Sequence, residues 1–307
     1  MSFVELQTVL ELGLICSLTV LALFLSYSML GVCDLSTDGC FTLGATVGAV
    51  VAVAGHPLLS IPAAMLAGIC SGFITAILQT KLGVNSLLAG IIVNTGLYSV
   101  NIAIMSGSAR VNLNKTDTVF SMVKRLLAGT PLKGWHVTAV ALLAVILVVA
   151  LVTLFLNTRL GLAIRATGDN PDMVRSSSIN PNFTTIVGLC VANAVTGLSG
   201  CLLAQAQQSS EINIGQGMVT IALASLLIGS TLLGRGGILL RAIGMVLGAF
   251  LFRLVYAVAL RLDMPAFMLK LVSSVIVVLA ISVPYLRRQW PTLRRRLAHR
   301  PSGKGEA

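Results

Sequence analysis

Asp34, Ser36 and Thr37 stand together in DLSTDG (34–39), Glu211 and Asn213 in EINIGQG (211–217), and a third polar stretch, RATGDNPDMVR (165–175), carries Arg165, Asp169, Asp172 and Arg175. Carboxylates, hydroxyls and amides at this density can hold a polar solute, close helix ends or meet a charged partner surface. They do not make a covalent catalyst. His56, His136 and His299 show no Ser/His/Asp or metal-ligand pattern. The six cysteines (Cys16, Cys33, Cys40, Cys70, Cys190, Cys201) show neither metal spacing nor a paired framework, and read as small packing residues. The phosphate-loop pattern G-x-x-x-x-G-K-[ST] is missing. GTPLKGW (129–135) and SGKGE (302–306) come nearest, but lack the lysine after the second glycine or the strand-to-helix context. A hydrolytic or redox enzyme is therefore not expected, nor a metal or cofactor bound by this chain. Any ATP it depends on must be hydrolysed by another subunit.

A second set of polar residues lies inside oily runs. Asn94, Tyr98 and Asn101 are spaced four and three apart and so share one helix face, with Asn85 and Ser86 at its start. Asn193 and Gln205 fall in a later run, with Gln207 and Gln208 at its end. Polar side chains facing lipid are costly, so these should point inward. Two roles fit them equally: the lining of a substrate path, or hydrogen bonds between helices. For Arg253 and Lys270, snorkelling or an internal partner is favoured over a substrate role.

The elements that position these residues follow from hydropathy. Of 307 residues 56% are hydrophobic and 10% charged, with a mean hydropathy of +0.95; soluble domains carry about 25% charged residues. The expected fold is an all-α polytopic membrane protein with about nine spans (eight to ten): 8–30, 41–55, 58–79, 84–106, 135–156, 183–207, 218–233, 238–260 and 266–286. The first run has no basic residue before it and no small-residue cleavage site after it, so it reads as a retained helix. Spans 41–55 and 218–233 are short, and each follows one of the polar approaches, which suggests broken or re-entrant helices.

Positive charge sets orientation. With a cytoplasmic C-terminus, thirteen basic residues lie inside: Lys81, Arg159, Arg165, Arg175, Arg235, Arg241 and seven in the tail. Six lie outside: Arg110, Lys115, Lys124, Arg125, Lys133 and Arg261. The count places the 158–181 segment in the cytoplasm and the 107–134 loop outside, where SMVKRLLAG (121–129) can form a surface helix. The basic tail, 287–307, reads as an anchor near anionic lipid and not as a nucleic-acid site.

The chain also repeats itself. Gly68-x-x-x-Gly72 recurs as Gly244-x-x-x-Gly248, Val84-Asn-Ser-Leu-Leu falls beside Met264-Pro-Ala-Phe-Met, and Asp34 matches Glu211 in opening a short span. Equivalent spans five apart imply an inverted repeat within a single permease domain, 1–286, with halves of about 8–134 and 135–286. Glycine pairs of this kind allow close helix packing. An inverted repeat predicts a substrate path at the midplane near the unwound approaches holding Asp34, Ser36, Thr37, Glu211 and Asn213.

The charged segment reads as a short helix. Asn170 is a good N-cap, Pro171 suits the first position, Asp172 complements the positive helix end, Gly168 lets the chain turn beforehand, and Pro181 stops the helix after about Ser178. TRLGLAIRATGDNPDMVR (158–175), the following INP, GLSGCLLA (197–204) and ALASLLIGSTLLGRGG (222–237) resemble the permease subunits of ATP-binding cassette importers of the branched-chain amino acid and ribose type. DLSTDGCFTLGA (34–45) and LLAGIIVNTGLYSVN (87–101) are similar to a branch of that group with members assigned to aromatic amino acid uptake. The likeness covers about residues 10 to 285. It implies that Arg165, Thr167, Gly168, Asp169, Asn170, Pro171 and Arg175 form or position a coupling helix against an ATPase subunit. Ser178 stands where that family often has glycine. The resemblance also implies a second permease copy, two ATP-binding subunits that bind ATP and Mg, an extracytoplasmic substrate-binding protein, and the bacterial inner membrane. The resulting expectation is an importer permease for a small polar solute, an amino acid ahead of a sugar or nucleoside. An ion-coupled transporter acting alone is the alternative that would also use an inverted repeat.

Overall fold

In hydrocarbon each backbone N–H and C=O must find its partner within its own segment, so long apolar runs fold as helices. The computed structural model describes residues 3–126, 134–234 and 236–261, with 271, 274–279 and 282. Helix α1 (Phe3–Leu23) runs into a π-helical turn, Phe24–Met29, and is followed by α2 (Thr37–Val53), α3 (Ser60–Thr80) and α4 (Ser86–Ile104). A short strand β1 (Arg110–Asn112) and α5 (Val119–Leu126) lead to α6 (His136–Asn157), α7 (Arg159–Asp169), α8 (Pro171–Ser176) and α9 (Pro181–Ala206). Strand β2 (Ser209–Glu211), α10 (Met218–Leu233) and α11 (Ile238–Arg261) follow.

Six of these helices are long and apolar enough to cross a membrane: α1 with its π turn, α3, α4, α6, α9 and α11. Helices α2 and α10 are apolar but shorter, as the interrupted spans 41–55 and 218–233 suggest. Among the described residues six of the expected spans thus reach crossing length and two form the shorter α2 and α10. The ninth expected span, 266–286, falls mostly outside the described residues, as do Lys270, Arg235 and the 287–307 tail.

Burial separates central from peripheral helices. In α9 and α1 78% and 72% of the apolar window is buried inside the protein, against 28–33% in α3, α4, α6 and α11. Helix α9 packs mainly on α3 and α2, and α1 on α11 and α9. The α1–α9 contact is tied by Thr19 Oγ1, which donates to Ser199 Oγ at 2.9 Å, while Ser199 Oγ donates to the Ile15 carbonyl at 2.8 Å. The tightest approach is between α2 and α9, where a Cβ on Gly44 would strike the Gly197 backbone. The paired glycine motifs have unlike partners. Gly68 and Gly72 seat α3 on the Asn193 and Leu189 carbonyls of α9, whereas Gly244 and Gly248 seat α11 on α10 at Gly229 and Ser225.

The two membrane faces follow from α9, whose 26 residues cover about 39 Å. At its start Thr184 Oγ1 lies 2.8 Å from Thr167 Oγ1 of α7, and near its end Gln205 Oε1 accepts from the Val119 amide of α5 at 2.9 Å. The charged 158–181 segment and the described part of the following connection, 107–126, thus lie on opposite faces. Strands β1 and β2 pair antiparallel, Arg110 opposite Glu211, and lie on the α5 side. Arg253 has internal partners: its guanidinium donates to Cys16 Sγ at 2.9 Å and sits 5.7 Å from the Tyr256 ring centroid.

Ser178 closes α8 with φ of +62°, in the left-handed region. That conformation costs a residue with a Cβ roughly 1–2 kcal/mol. Ser178→Gly is expected to be neutral or stabilising by up to about 1 kcal/mol, and Ser178→Val destabilising by about 1–2 kcal/mol, as read by thermal unfolding of the purified protein.

Candidate functional site

The polar site is built where two helices begin late. After the π turn, Gly31 takes a left-handed φ of +72° against the Gly168 backbone, and the chain runs non-helically until Thr37 opens α2. Asp34, only 1% exposed, organises this approach. Its Oδ1 accepts from the Ser36 amide at 2.8 Å and Ser36 Oγ at 2.6 Å, and its Oδ2 accepts from Asn193 Nδ2 at 2.7 Å. Thr37 Oγ1 donates to the Asp34 carbonyl, and Thr75 Oγ1 donates to Ser36 Oγ. Asn193 stands twelve residues after Pro181 in α9, about 18 Å along it, so this network lies near the middle of the bundle.

The second late helix starts beside the first. Asp38, in the first turn of α2, accepts from the Gly217 amide at 2.9 Å and the Val219 amide at 2.7 Å, and so caps α10 from another helix. The free N–H groups at a helix start and the aligned peptide dipoles favour a carboxylate there. Gly217 has φ of +84°, and a side chain on Gly215 would strike the Asp38 carbonyl and Thr42. The two polar approaches, about 180 residues apart in sequence, are thus joined at one carboxylate.

Next to this junction is a polar cavity of about 360 Å³, lined by Asp38, Gly39, Thr42, Asn94, Thr95, Tyr98, Ser99, Asn101, Ile212, Asn213 and Gln216. Its size lies within the roughly 300–1,000 Å³ of small-molecule sites. Helix α4 contributes one wall, and a side chain on Gly39 would meet Asn94 Oδ1 at 2.6 Å, so helices α2 and α4 touch there. Asn101 Nδ2 donates to the Gly39 carbonyl at 3.4 Å.

The nominated path residues therefore divide. Asn94, Tyr98 and Asn101 share the cavity wall with Asn213. Asn193 and Gln205 do not line it. Asn193 is committed to Asp34 and the Leu189 carbonyl, and Gln205 donates to Ser60 Oγ at 2.6 Å while accepting from Val119, so both bond between helices. Glu211 is not at the start of α10 either: it closes the β1–β2 pair with Arg110 at 3.4 Å on the surface. Asp38 was not singled out by sequence reasoning. Its only signal was a carboxylate just before glycine in DLSTDG, within the stretch already nominated.

On the opposite face from β1–β2, the 158–181 segment forms two helices, α7 and α8, where one was expected. Asn170 caps α8 through Oδ1, which accepts from the Asp172 and Met173 amides at 3.1 Å each, and Pro171 takes the first position. Thr167 is buried against Thr184. Gly168 lies inside α7 and does not turn the chain; its missing side chain lets α7 press on the Met29 and Leu30 backbone. Arg165 is half-buried, while Asp169, Asn170, Pro171, Met173 and Arg175 are exposed, and Arg175 lies 3.7 Å from Asp172. The result is a capped, charged knob whose base is fixed to the bundle.

The family described as branched-chain amino acid transport system/permease component matches residues 6–281. The tyrosine transport system permease protein of Clostridioides difficile (strain R20291) is 31% identical over 274 residues, which is 88% of this chain and 88% of that protein. The ribose import permease protein RbsC of Escherichia coli (strain K12) is 26% identical over 258 residues, 81% of this chain and 76% of that one. The autoinducer 2 import system permease protein LsrC of Yersinia pseudotuberculosis is 28% identical over 204 residues, 66% of this chain and 55% of its own. No solved structure matches the chain at a significant level.

Proposed function

The chain belongs to the branched-chain amino acid transport system/permease component family and is a multi-pass membrane permease component; from the site geometry we propose that it gives an amino acid, aromatic ones included, an alternating-access path into the cell, driven by ATP hydrolysed in a separate subunit. The observation that carries the reading is the junction at Asp38, where the late-starting α2 and α10 meet beside a polar cavity. Interrupted helices meeting at the midplane are a common way to present free backbone groups to a solute. The likeness to a tyrosine transport permease at 31% identity supports an amino acid ahead of a sugar.

The path is assigned to Asn94, Tyr98, Asn101 and Asn213, with Asp34, Ser36 and Thr37 holding the helix start that shapes it. Helix packing supports an inverted repeat, since α9 lies on α2 and α3 as α1 lies on α10 and α11. The knob of α7 and α8 is assigned to coupling. Arg165, Thr167 and Gly168 seat it; Asp169, Asn170, Pro171 and Arg175 present it to an ATP-binding subunit in the cytoplasm. A second permease copy and an extracytoplasmic substrate-binding protein complete the importer, with the basic tail inside the cell.

In liposomes the purified chain alone is expected to give no concentrative tyrosine uptake, and with its ATPase partner to give ATP-dependent uptake. Concentrative uptake by the chain alone, driven by an ion gradient, would reject the reading in favour of a secondary transporter. Asp169→Lys should cut ATP-dependent uptake about tenfold or more by reversing an exposed charge on the docking face, with membrane insertion unchanged.

A further inference from the structure

The cavity wall carries an imbalance of acceptors. Asp38 accepts two backbone N–H bonds from the start of α10, and a helix start supplies only about half a positive charge. Among the described residues no lysine, arginine or histidine pairs with it. Asn101 Nδ2 donates to the carbonyl of Gly39, the residue next to Asp38, while Asn101 Oδ1 has no partner although the residue is 1% exposed. Turning that amide over would set its oxygen against the Gly39 carbonyl, so the unpaired atom is an acceptor. An acceptor left unpaired at this depth has lost its water without gaining a donor.

We propose that Asp38 and Asn101 form the site for the positively charged amino group of the transported solute. This rests on the reading of the cavity as a substrate path and adds which chemical group selects the substrate. An ammonium group supplies both missing terms, a positive charge for the carboxylate and an N–H donor for the Asn101 oxygen. A sugar hydroxyl supplies only the donor and leaves the carboxylate unbalanced. The selected class is thus a primary amine, with the carboxylate end and side chain of an amino acid directed along the amides and Tyr98 of the same cavity.

The test measures direct binding to the transporter, assembled with its ATPase partner in nanodiscs, without nucleotide and without the extracytoplasmic receptor. The probes are tyrosine, tyramine, 3-(4-hydroxyphenyl)propionate and ribose. Tyrosine and tyramine are expected to bind at least about tenfold more tightly than the deaminated acid or ribose. In Asp38→Asn, which keeps an oxygen for one of the two α10 amides, and in Asn101→Leu, that preference should fall to about threefold or less, while ATPase activity of the same nanodisc complex shows that it still assembles. The proposal is overturned if the deaminated acid binds as well as tyrosine, if both variants keep the wild-type preference, or if none of the probes binds. ATP-driven tyrosine uptake that persists in any of these cases leaves the importer reading standing; its loss in the wild-type complex removes that reading separately.

Discussion

Gly44→Val is expected to yield little or no folded protein. A side chain at that position meets the Gly197 backbone of α9, and Gly197 itself is pressed on the Ala64 carbonyl of α3, so the central helix has no direction in which to retreat. Packed interiors yield little, and overfilling by a whole side chain against backbone exceeds the roughly 1–3 kcal/mol typical where flexible neighbours can adjust. Fluorescence-detected size-exclusion of the tagged protein should show loss of the monodisperse peak. Gly96→Ala, in the middle of α4 with open space around it, should leave the peak and its melting temperature unchanged. A stable Gly44→Val protein would mean that α2 and α9 are not in contact as described.

Asn193→Leu is expected to cost about 2–4 kcal/mol, because it leaves one oxygen of the buried Asp34 carboxyl without its donor. The 2.7 Å bond from Asn193 Nδ2 is the contact that Asp34 Oδ2 makes in the network. Losing it also frees the non-helical approach to α2, so the start of that helix should loosen. Adding Asp34→Leu to Asn193→Leu should destabilise by clearly less than the sum of the two single changes, since one interaction is removed twice. Thermal unfolding of the four proteins in one detergent measures this cycle; strict additivity would show that the pair does not interact. The Ser36 amide, which donates to the same carboxyl, should exchange faster in hydrogen exchange when Asn193 is lost.

Neither change could be ranked from the chain alone. Gly44 and Gly48 form a G-x-x-x-G pair just as Gly68 with Gly72 and Gly244 with Gly248 do, and the motif does not say which glycine is pressed on unyielding backbone; that depends on which helix lies opposite. Gln205 and Asn94 are both amides in oily runs, and periodicity says only that each points inward. One bonds between helices and the other lines a cavity because their neighbours differ. Asp38 gained its importance from Gly217 and Val219, about 180 residues further along, and a single sequence carries no trace of that distance.

The features legible in the chain were local or additive. The apolar runs and the cost of unpaired backbone in lipid required helices; the two short runs and their polar approaches marked the interrupted ones. Asn170 and Pro171 defined the start of α8 through capping that needs no tertiary contact, and the family-specific motifs indicated a permease. Pairing came from the folded bundle: Asp34 meets Asn193, Asp38 caps α10, Gly168 packs instead of turning the chain, and Glu211 closes a surface strand pair. Helix formation is governed by neighbours a few residues apart, whereas a cavity and its acceptors exist only once distant helices have been brought together.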